Sequence, residues 1–459
     1  MNDPNGLVSY QGEYHLFYQY HPESTVWGPM HWGHAVSRDL INWKYLPIAL
    51  YPDEHGMIFS GSAVVDWNNT AGFGKEALVA IFTYNKDYKE TQNLAYSLDK
   101  GRTWTKYSGN PVIPAPNPLS DCRDPKVFWH EDHWVMLLTA GDKILFYTSS
   151  DLRNWEQSGS FGKRGSTTGV WETPDLFKLS VSNENQTRWV LTAGVGNGHP
   201  AGGSGTQYFI GEFDGRQFTS EGPQDTVLWA DYGADYYAPQ SWNDEPHHRR
   251  LMLGWMNNWQ YAKVIPAAEW RGSFSLIREL SLKRTEAGIR LVHQPIPELQ
   301  TLRQKSYHLQ NEMLTPEVNL LTGLQGEVFE ITAEFQLTND VKLLGFHVRV
   351  GKGERTTIGY DVQAKKVFVD RTHSGQNDFH EGFADIHSTE LICADNILRL
   401  HIFVDHGSVE AFADDGLLVI TDCVFPAAES TGLELFVEGD PVRLNQLDIF
   451  QLASASYTT

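Results

Sequence analysis

Cysteine is scarce in this chain. Cys122, Cys393 and Cys423 are its only three among 459 residues, too few and too scattered for a disulfide framework or a thiolate zinc site. Cys122 adjoins an Arg-Asp-Pro motif, yet reads as a small buried residue beside a strand rather than as a nucleophile. Basic residues are outnumbered, 36 Lys and Arg against 57 Asp and Glu, for a formal net charge of −21. That balance lacks the basic patches that nucleic acid or an anionic membrane surface requires, so neither is an expected partner. No apolar run reaches membrane-spanning length, and no signal peptide opens the chain. Helical periodicity is nearly absent. The histidines His21, His31, His34 and His199 lack the paired spacing of a zinc site and read as structural or rim residues. No metal and no cofactor is expected.

What remains is a strand-rich chain with many aromatics: 15 Trp, 19 Tyr and 23 Phe. Its length exceeds one core and divides most naturally into two domains. Alternating runs such as Glu13 to Tyr20 and His133 to Leu138 read as strands. A looser repeat lies above them. Ser37-Arg38-Asp39-Leu40-Ile41-Asn42-Trp43 resembles Ser97 to Trp104 and Ser150 to Trp155, with Phe213 to Phe218 as a degenerate fourth copy. The anchoring aromatics Trp43, Trp104, Trp155 and Phe218 fall at intervals of 61, 51 and 63 residues. Each copy predicts a tight turn between outer strands. Inner strands are expected to begin near Asp3, Ser60, Asp124, Glu172 and Tyr237. Five such units are the signature of a five-bladed β-propeller, placed at 1–290. The prolines after Arg290 predict a linker over 291–324. Short strands without the aromatic repeat then predict a β-sandwich over 325–459. The fold expected is all-β.

Three acidic motifs stand at the heads of inner strands: Asn2-Asp3-Pro4-Asn5-Gly6, Arg123-Asp124-Pro125 and Trp171-Glu172-Thr173-Pro174-Asp175. Inner strands of a propeller converge at one mouth of the central channel, so Asp3, Asp124 and Glu172 meet there despite their separation in sequence. Paired carboxyls are what cleavage of a glycosidic bond requires. Alone, Asp3 in its Pro-Asn-Gly setting would be turn chemistry. Glu172 could cap a strand, and Arg123 with Asp124 could form an internal salt bridge. Asp175 is a second carboxyl beside Glu172 that a simple reading could take for the acid.

These motifs, with Phe17 to Tyr20, Trp27 to His34, Phe59-Ser60-Gly61-Ser62, Gly254 to Trp259, Asp370-Arg371-Thr372 and Asp405 to Glu410, resemble glycoside hydrolase family 32, the invertases, levanases and exo-inulinases. The resemblance covers nearly the whole chain, with a flavour closer to bacterial-type levanases and exo-inulinases. It implies that Asp3 is the nucleophile, Glu172 the general acid and base with a raised pKa, and Asp124 the acceptor of fructosyl hydroxyls. Arg123 would orient Asp124 or a substrate hydroxyl. Asn2, Gln19 and Ser60 would hydrogen-bond the fructosyl unit, with Trp27 and Phe59 as apolar walls. Trp255 or Trp259 would close another side, and Asp235 and Tyr236 are further candidates for the pocket. The implied chemistry is retaining, with carboxyls about 5–5.5 Å apart and a covalent fructosyl-enzyme intermediate.

Two departures from the family pattern stand out. Thr173 replaces the usual cysteine after the acid, which predicts tuning of Glu172. The usual strand before the first motif is also missing, which predicts a segment upstream and a frayed start. The expected substrate is sucrose or a fructan, levan or inulin, and the expected location is outside the cell, with the cytoplasm as alternative. Asn68-Asn69-Thr70 and Asn185-Gln186-Thr187 fit the N-glycosylation pattern, which arises often by chance. Chain-length preference is assigned to loops at Thr83 to Tyr88 and Gly194 to Pro200. The sandwich is expected to buttress the propeller, bind polymer or carry a homodimer contact, with Asp370, Asp405 and Glu410 at strand ends or an interface. A fructosyltransferase using the same intermediate, a non-catalytic carbohydrate-binding protein, and a propeller hydrolase of arabinose or xylose polymers are the competing readings.

Overall fold

The computed structural model describes residues 1–458 apart from 117–120, 268 and 339. A five-bladed β-propeller comes first, and each blade is an antiparallel sheet whose strands run outward in sequence order. Blade I begins with Pro4–Tyr10, blade II with Met57–Asp66, blade III with Cys122–His130, blade IV with Trp171–Ser180 and blade V with Tyr237–Ser241. These inner strands are mostly buried, most completely in blades I and V. They bury Asp124, Lys126 and Asp175 along with their apolar residues.

The repeated motif is the turn between the third and fourth strands. In the first copy Asp39 accepts the N–H groups of Ile41 and Asn42, and the Trp43 indole donates to Leu40 O. Trp104 and Trp155 repeat the indole bond to Gly101 O and Leu152 O. The serine of the third copy is Ser149 rather than Ser150, since Ser149 Oγ bonds Asp151 in the way that Ser37 bonds Asp39.

Side chains on the axis tie the blades together. Asn243 donates to Ala63 O and Val127 O at 2.9 and 3.0 Å. Its backbone pairs with Leu7 and Ser9, closing blade V onto blade I. Above it Lys126 donates to Asp175 at 3.0 Å and to Ser241 O at 2.8 Å, all buried.

Two expected boundaries move. Gly288–Pro295 is the outer strand of blade V, paired with Arg278–Thr285, and Arg303–Leu314 is already a strand of the second domain, paired with Val442–Leu452. Much of the expected linker at 291–324 is therefore sheet, and the turn at Pro297–Leu302 joins the two strands. Proline is tolerated at Pro295 because it ends an outer strand. The second domain is a β-sandwich of a six-stranded and a five-stranded antiparallel sheet, closed over a core that includes Ile331, Phe335, Phe346, Val348 and Leu447. It packs on the propeller through Phe403, Phe412 and Val419, which share one buried cluster with Trp242, Leu251 and Leu253 of blade V. Side chains of this size contribute about 1.5–3 kcal/mol each on burial, enough to hold the domains as a packed pair. Tyr457–Thr458 then adds a parallel strand to the outer edge of blade I.

Candidate active site

Each inner strand is irregular at the same end. The ladder register shifts between Asn5 and Val8, Ile58 and Gly61, Arg123 and Lys126, Glu172 and Asp175, and Tyr237 and Gln240. In blades III, IV and V the residue before the proline of the strand, Asp124, Thr173 or Ala238, has a positive φ of 63°, 47° or 51°. In blade I that conformation falls on Gly6, where a Cβ would come within 2.6 Å of the Phe17 ring. Bulges re-aim side chains, and left-handed backbone at a non-glycine residue costs about 1–3 kcal/mol. Strain shared by equivalent positions of three blades marks this mouth of the channel as the place where side-chain direction matters.

The three predicted acids meet here. Asn2 Nδ2 donates to one oxygen of Asp3 at 3.0 Å and Ser60 Oγ to the other at 2.7 Å. Burial, reinforced by the nearby Glu172 charge, pushes the Asp3 carboxyl up to about 6 against the pull of those two donors. Asp124 is buried and accepts the Thr173 N–H at 2.9 Å. Burial raises its pKa well above the usual range; Arg123 opposes that rise, and the charges of Glu172 and Asp3 add to it. Burial is the larger cause at both Asp3 and Asp124, and the neighbouring carboxylates add to it.

Glu172 is gripped from both sides. Arg123 Nη2 donates to Oε1 at 3.0 Å and the Tyr237 hydroxyl to Oε2 at 2.5 Å. Arg123, Glu172 and Tyr237 occupy equivalent positions on blades III, IV and V, each two residues before the strand's proline. Burial works against the Arg123 charge, but Glu172, Asp124 and Glu90 more than offset it and raise its pKa. Arg123 also bonds Glu90 and Asp121. It therefore orients Glu172, not Asp124. The Asp124 backbone is held by Thr83 Oγ1 instead, at 3.1 Å.

Gln19, expected to hydrogen-bond the fructosyl unit, lies beside Asp3, its N–H donating to Asp3 O and its side chain to Ile58 O. Trp27 and Phe59 meet edge to face at 6.1 Å, and Trp27 keeps 41% of its surface exposed. Trp255 is buried behind Tyr237, its register partner, while the half-buried Trp259 packs on it at 4.7 Å with the rings tilted by 56°. Trp259 is thus the one that offers a surface.

Several expectations are corrected. Asp235 and Tyr236 do not face the mouth: Asp235 pairs with Arg371 of the sandwich at 2.6 Å, and the Tyr236 ring lies under Arg278. Asp175, the rival acid, is the counter-ion of Lys126 on the axis. Thr173 touches Asp124 through its backbone, and its hydroxyl has no hydrogen-bond partner, so it does not act on Glu172 directly. Thr83 to Lys86 belongs to the strand Ala77–Lys86 and Gly194-Val195 to Thr187–Val195, leaving only Asp87 and Tyr88 as the tip of the first expected loop. The start is not frayed, since Asn2 N–H donates to Gln19 O and the Met1 amino group to Arg271 O. Tyr237 was missed as a site residue; its alignment with Arg123 and Glu172 two residues before a proline was the available signal. The histidines are taken up locally: His34 stacks on Phe17 and bonds His15, and His199 bonds Asp231 O. Among the described residues no three His, Cys, Asp or Glu side chains are grouped as metal ligands.

Known proteins share this arrangement across the chain. The N-terminal domain of glycosyl hydrolases family 32 matches residues 1–295, and that family's C-terminal domain matches 298–451. A levanase of Bacillus subtilis (strain 168) is 52% identical over 471 residues, covering 100% of this chain and 69% of the levanase. An extracellular exo-inulinase of Aspergillus awamori is 38% identical over 496 residues, covering 99% of this chain and 92% of its own length. The crystal structure of an Aspergillus awamori exo-inulinase superposes with a TM-score of 0.94 at 37% identity, covering 99% of this chain and 96% of that one. A fructofuranosidase from Schwanniomyces occidentalis complexed with fructose gives 0.91 at 31% identity, over 98% and 96%. With the three acids at one propeller mouth and both domains matched in order, the chain belongs to glycosyl hydrolases family 32.

Proposed function

We propose that this glycoside hydrolase is a retaining, exo-acting β-fructofuranosidase that releases terminal β-D-fructosyl units from sucrose and from fructans such as levan and inulin. The observation that carries the reading is the division of labour among the acids. Asp3 is served by two neutral donors, Asn2 and Ser60, and Glu172 by a cation and a phenol. In the first step the Asp3 carboxylate attacks the anomeric carbon while Glu172 gives its proton to the departing glycosidic oxygen, forming the fructosyl ester. In the second, Glu172 takes a proton from water as that water attacks the same carbon, and Asp3 leaves as a carboxylate. Asp124 holds ring hydroxyls as the fructosyl unit flattens. Trp27, Phe59 and Trp259 wall the site, with Gln19 beside the nucleophile. The levanase, exo-inulinase and fructofuranosidase relatives supply the substrate class, and the extracellular exo-inulinase supports secretion.

Separate incubations with sucrose, levan and inulin, with free fructose, free glucose and longer products followed over time, test the reading. Fructose release that disappears in Asp3→Ala and Glu172→Ala is the expected result. Longer fructosyl products in place of free fructose would move the assignment to a transferase. Binding without turnover would overturn the enzyme reading.

A further inference from the structure

The strand end that carries Tyr237 is weakly held by its own blade. Tyr237 pairs with Trp255, then the register slips until Gln240 pairs with Leu253, and Ala238 between them sits at φ 51°. The approach to that strand is held largely by the other domain. Tyr232 and Asp235 N–H groups donate to Val419 O and Thr421 O of the sandwich at 2.8 and 3.0 Å, and Ala234 N–H donates to Asp422 at 3.0 Å.

Arg371 anchors this junction. It is fully buried, with its guanidinium 3.9 Å from the centre of the Phe383 ring. Nη1 donates to Asp235 Oδ2 at 2.6 Å, Nη2 to the Tyr261 hydroxyl at 2.9 Å and Nε to Phe383 O at 2.6 Å. Tyr261 in turn donates to the other oxygen of Asp235 at 2.7 Å. The loop that holds Tyr261 also holds Trp259, and Asn258 in it donates to Ala234 O at 2.8 Å. One guanidinium thus fixes both routes to the mouth, through Asp235 to Tyr237 and through Tyr261 to Trp259. Among the described residues it is the only cation in an ion pair with Asp235.

We propose that Arg371 is a positioning residue: from the sandwich, through Asp235 and Tyr261, it sets the Tyr237 hydroxyl against Glu172. The proposal rests on Glu172 being the acid and base of the proposed reaction. Arg371→Lys keeps a cation beside Asp235 but loses the planar fork that also reaches Tyr261 and Phe383 O, and a displacement of about 1 Å in a catalytic group costs about 100-fold in rate. Its effect is therefore expected in turnover.

The test is a double-mutant cycle on sucrose hydrolysis with full-length protein, reading kcat and KM for Arg371→Lys, Tyr237→Phe and the two combined. Arg371→Lys is expected to lower kcat about 10-fold with KM within about twofold, and to cost less than about twofold more once Tyr237 is phenylalanine. A purely structural Arg371 would give the same fold loss in both backgrounds or none in kcat, and either result overturns the proposal. Tyr261→Phe, which deletes only the hydroxyl between Arg371 and Asp235, repeats the cycle if Arg371→Lys does not fold. Glu172→Gln is measured alongside. Full activity there defeats the assignment of Glu172 itself, while additive losses with an inactive Glu172→Gln defeat only the role of Arg371.

Discussion

Tyr237 donates to Glu172 across 2.5 Å from blade V, at the position that Arg123 and Glu172 hold on blades III and IV. Burial and the neighbouring Glu172 charge raise the phenol pKa well above its ordinary value, so Tyr237 serves only as a donor. In the proposed reaction its bond gains strength as Glu172 gives up its proton and becomes charged, which is where a hydrogen bond accelerates a reaction. A hydrogen bond to a charged group contributes about 1.5–3 kcal/mol. Tyr237→Phe is therefore expected to lower kcat on sucrose by about 10- to 100-fold while leaving KM nearly unchanged. The ring still packs with Ala238, Trp255 and Ala262, so the melting temperature should hold. A rise in KM with kcat intact would place Tyr237 in ground-state binding instead.

Asp3 predicts a pH dependence. The nucleophile proposed for the reaction works as a carboxylate, and the Asp3 pKa is raised to about 6, so kcat/KM should fall on the acid side with a midpoint near pH 6. Asn2→Ala or Ser60→Ala removes a donor that stabilises the charged form, so each should move that limb to higher pH. Stability runs the other way. The folded carboxyl keeps its proton up to about pH 6 and the unfolded one only to about pH 4, so the folded state binds more protons between them and loses stability as pH rises through that window. The cost is fully present above pH 6 and amounts to about 2–3 kcal/mol. Asp3→Asn should be inactive yet more stable than the wild type at pH 7, with the gain vanishing below pH 4. Equal denaturant midpoints at pH 7 would contradict this.

The blade repeat was legible because one turn recurs with the same Asp and Trp chemistry, and the meeting of Asp3, Asp124 and Glu172 was legible because each stands one or two residues before a proline at a strand head. Strand bounds followed alternation, with Glu13 to Tyr20 found as the strand Glu13–Tyr20 and His133 to Leu138 lying inside His133–Ala140. The failures have a common physical origin. Asp235, Asp175 and Arg123 are charged residues whose partners lie on other blades or the other domain: Arg371, Lys126 and Glu172. No local pattern specifies which cation a buried carboxylate meets. The linker was misplaced because Pro295 and Pro297 mark a strand end and a turn of 3-10 helix rather than loose chain.

Thr173 offers a substitution in the stabilising direction. Its hydroxyl is buried without a partner, its β-branched side chain sits at φ 47°, and only its backbone N–H serves the site. Thr173→Cys removes the unmet hydroxyl and the branch while keeping the bond to Asp124. Stability should rise by about 1 kcal/mol, with kcat within about twofold of the wild type. A large loss of kcat would assign the hydroxyl a direct role at Glu172.

The Lys126–Asp175 pair separates a carboxyl needed for folding from those proposed for the chemistry. Asp175 accepts Lys126 at 3.0 Å, the Ser241 N–H at 2.7 Å and the Leu176 N–H at 2.8 Å, with no exposed surface. Burial lowers the Lys126 pKa and Asp175 opposes that shift. Asp175→Asn leaves an ammonium group in the axis without its counter-charge, a loss of about 3–5 kcal/mol. Denaturant unfolding should show it, while kcat of the protein that remains folded stays within about threefold. Removing the ammonium as well, in Lys126→Met with Asp175→Asn, should restore most of the stability because the uncompensated charge is gone. If Asp175→Asn instead lost activity as completely as Glu172→Gln with its unfolding curve unmoved, Asp175 would belong among the catalytic acids.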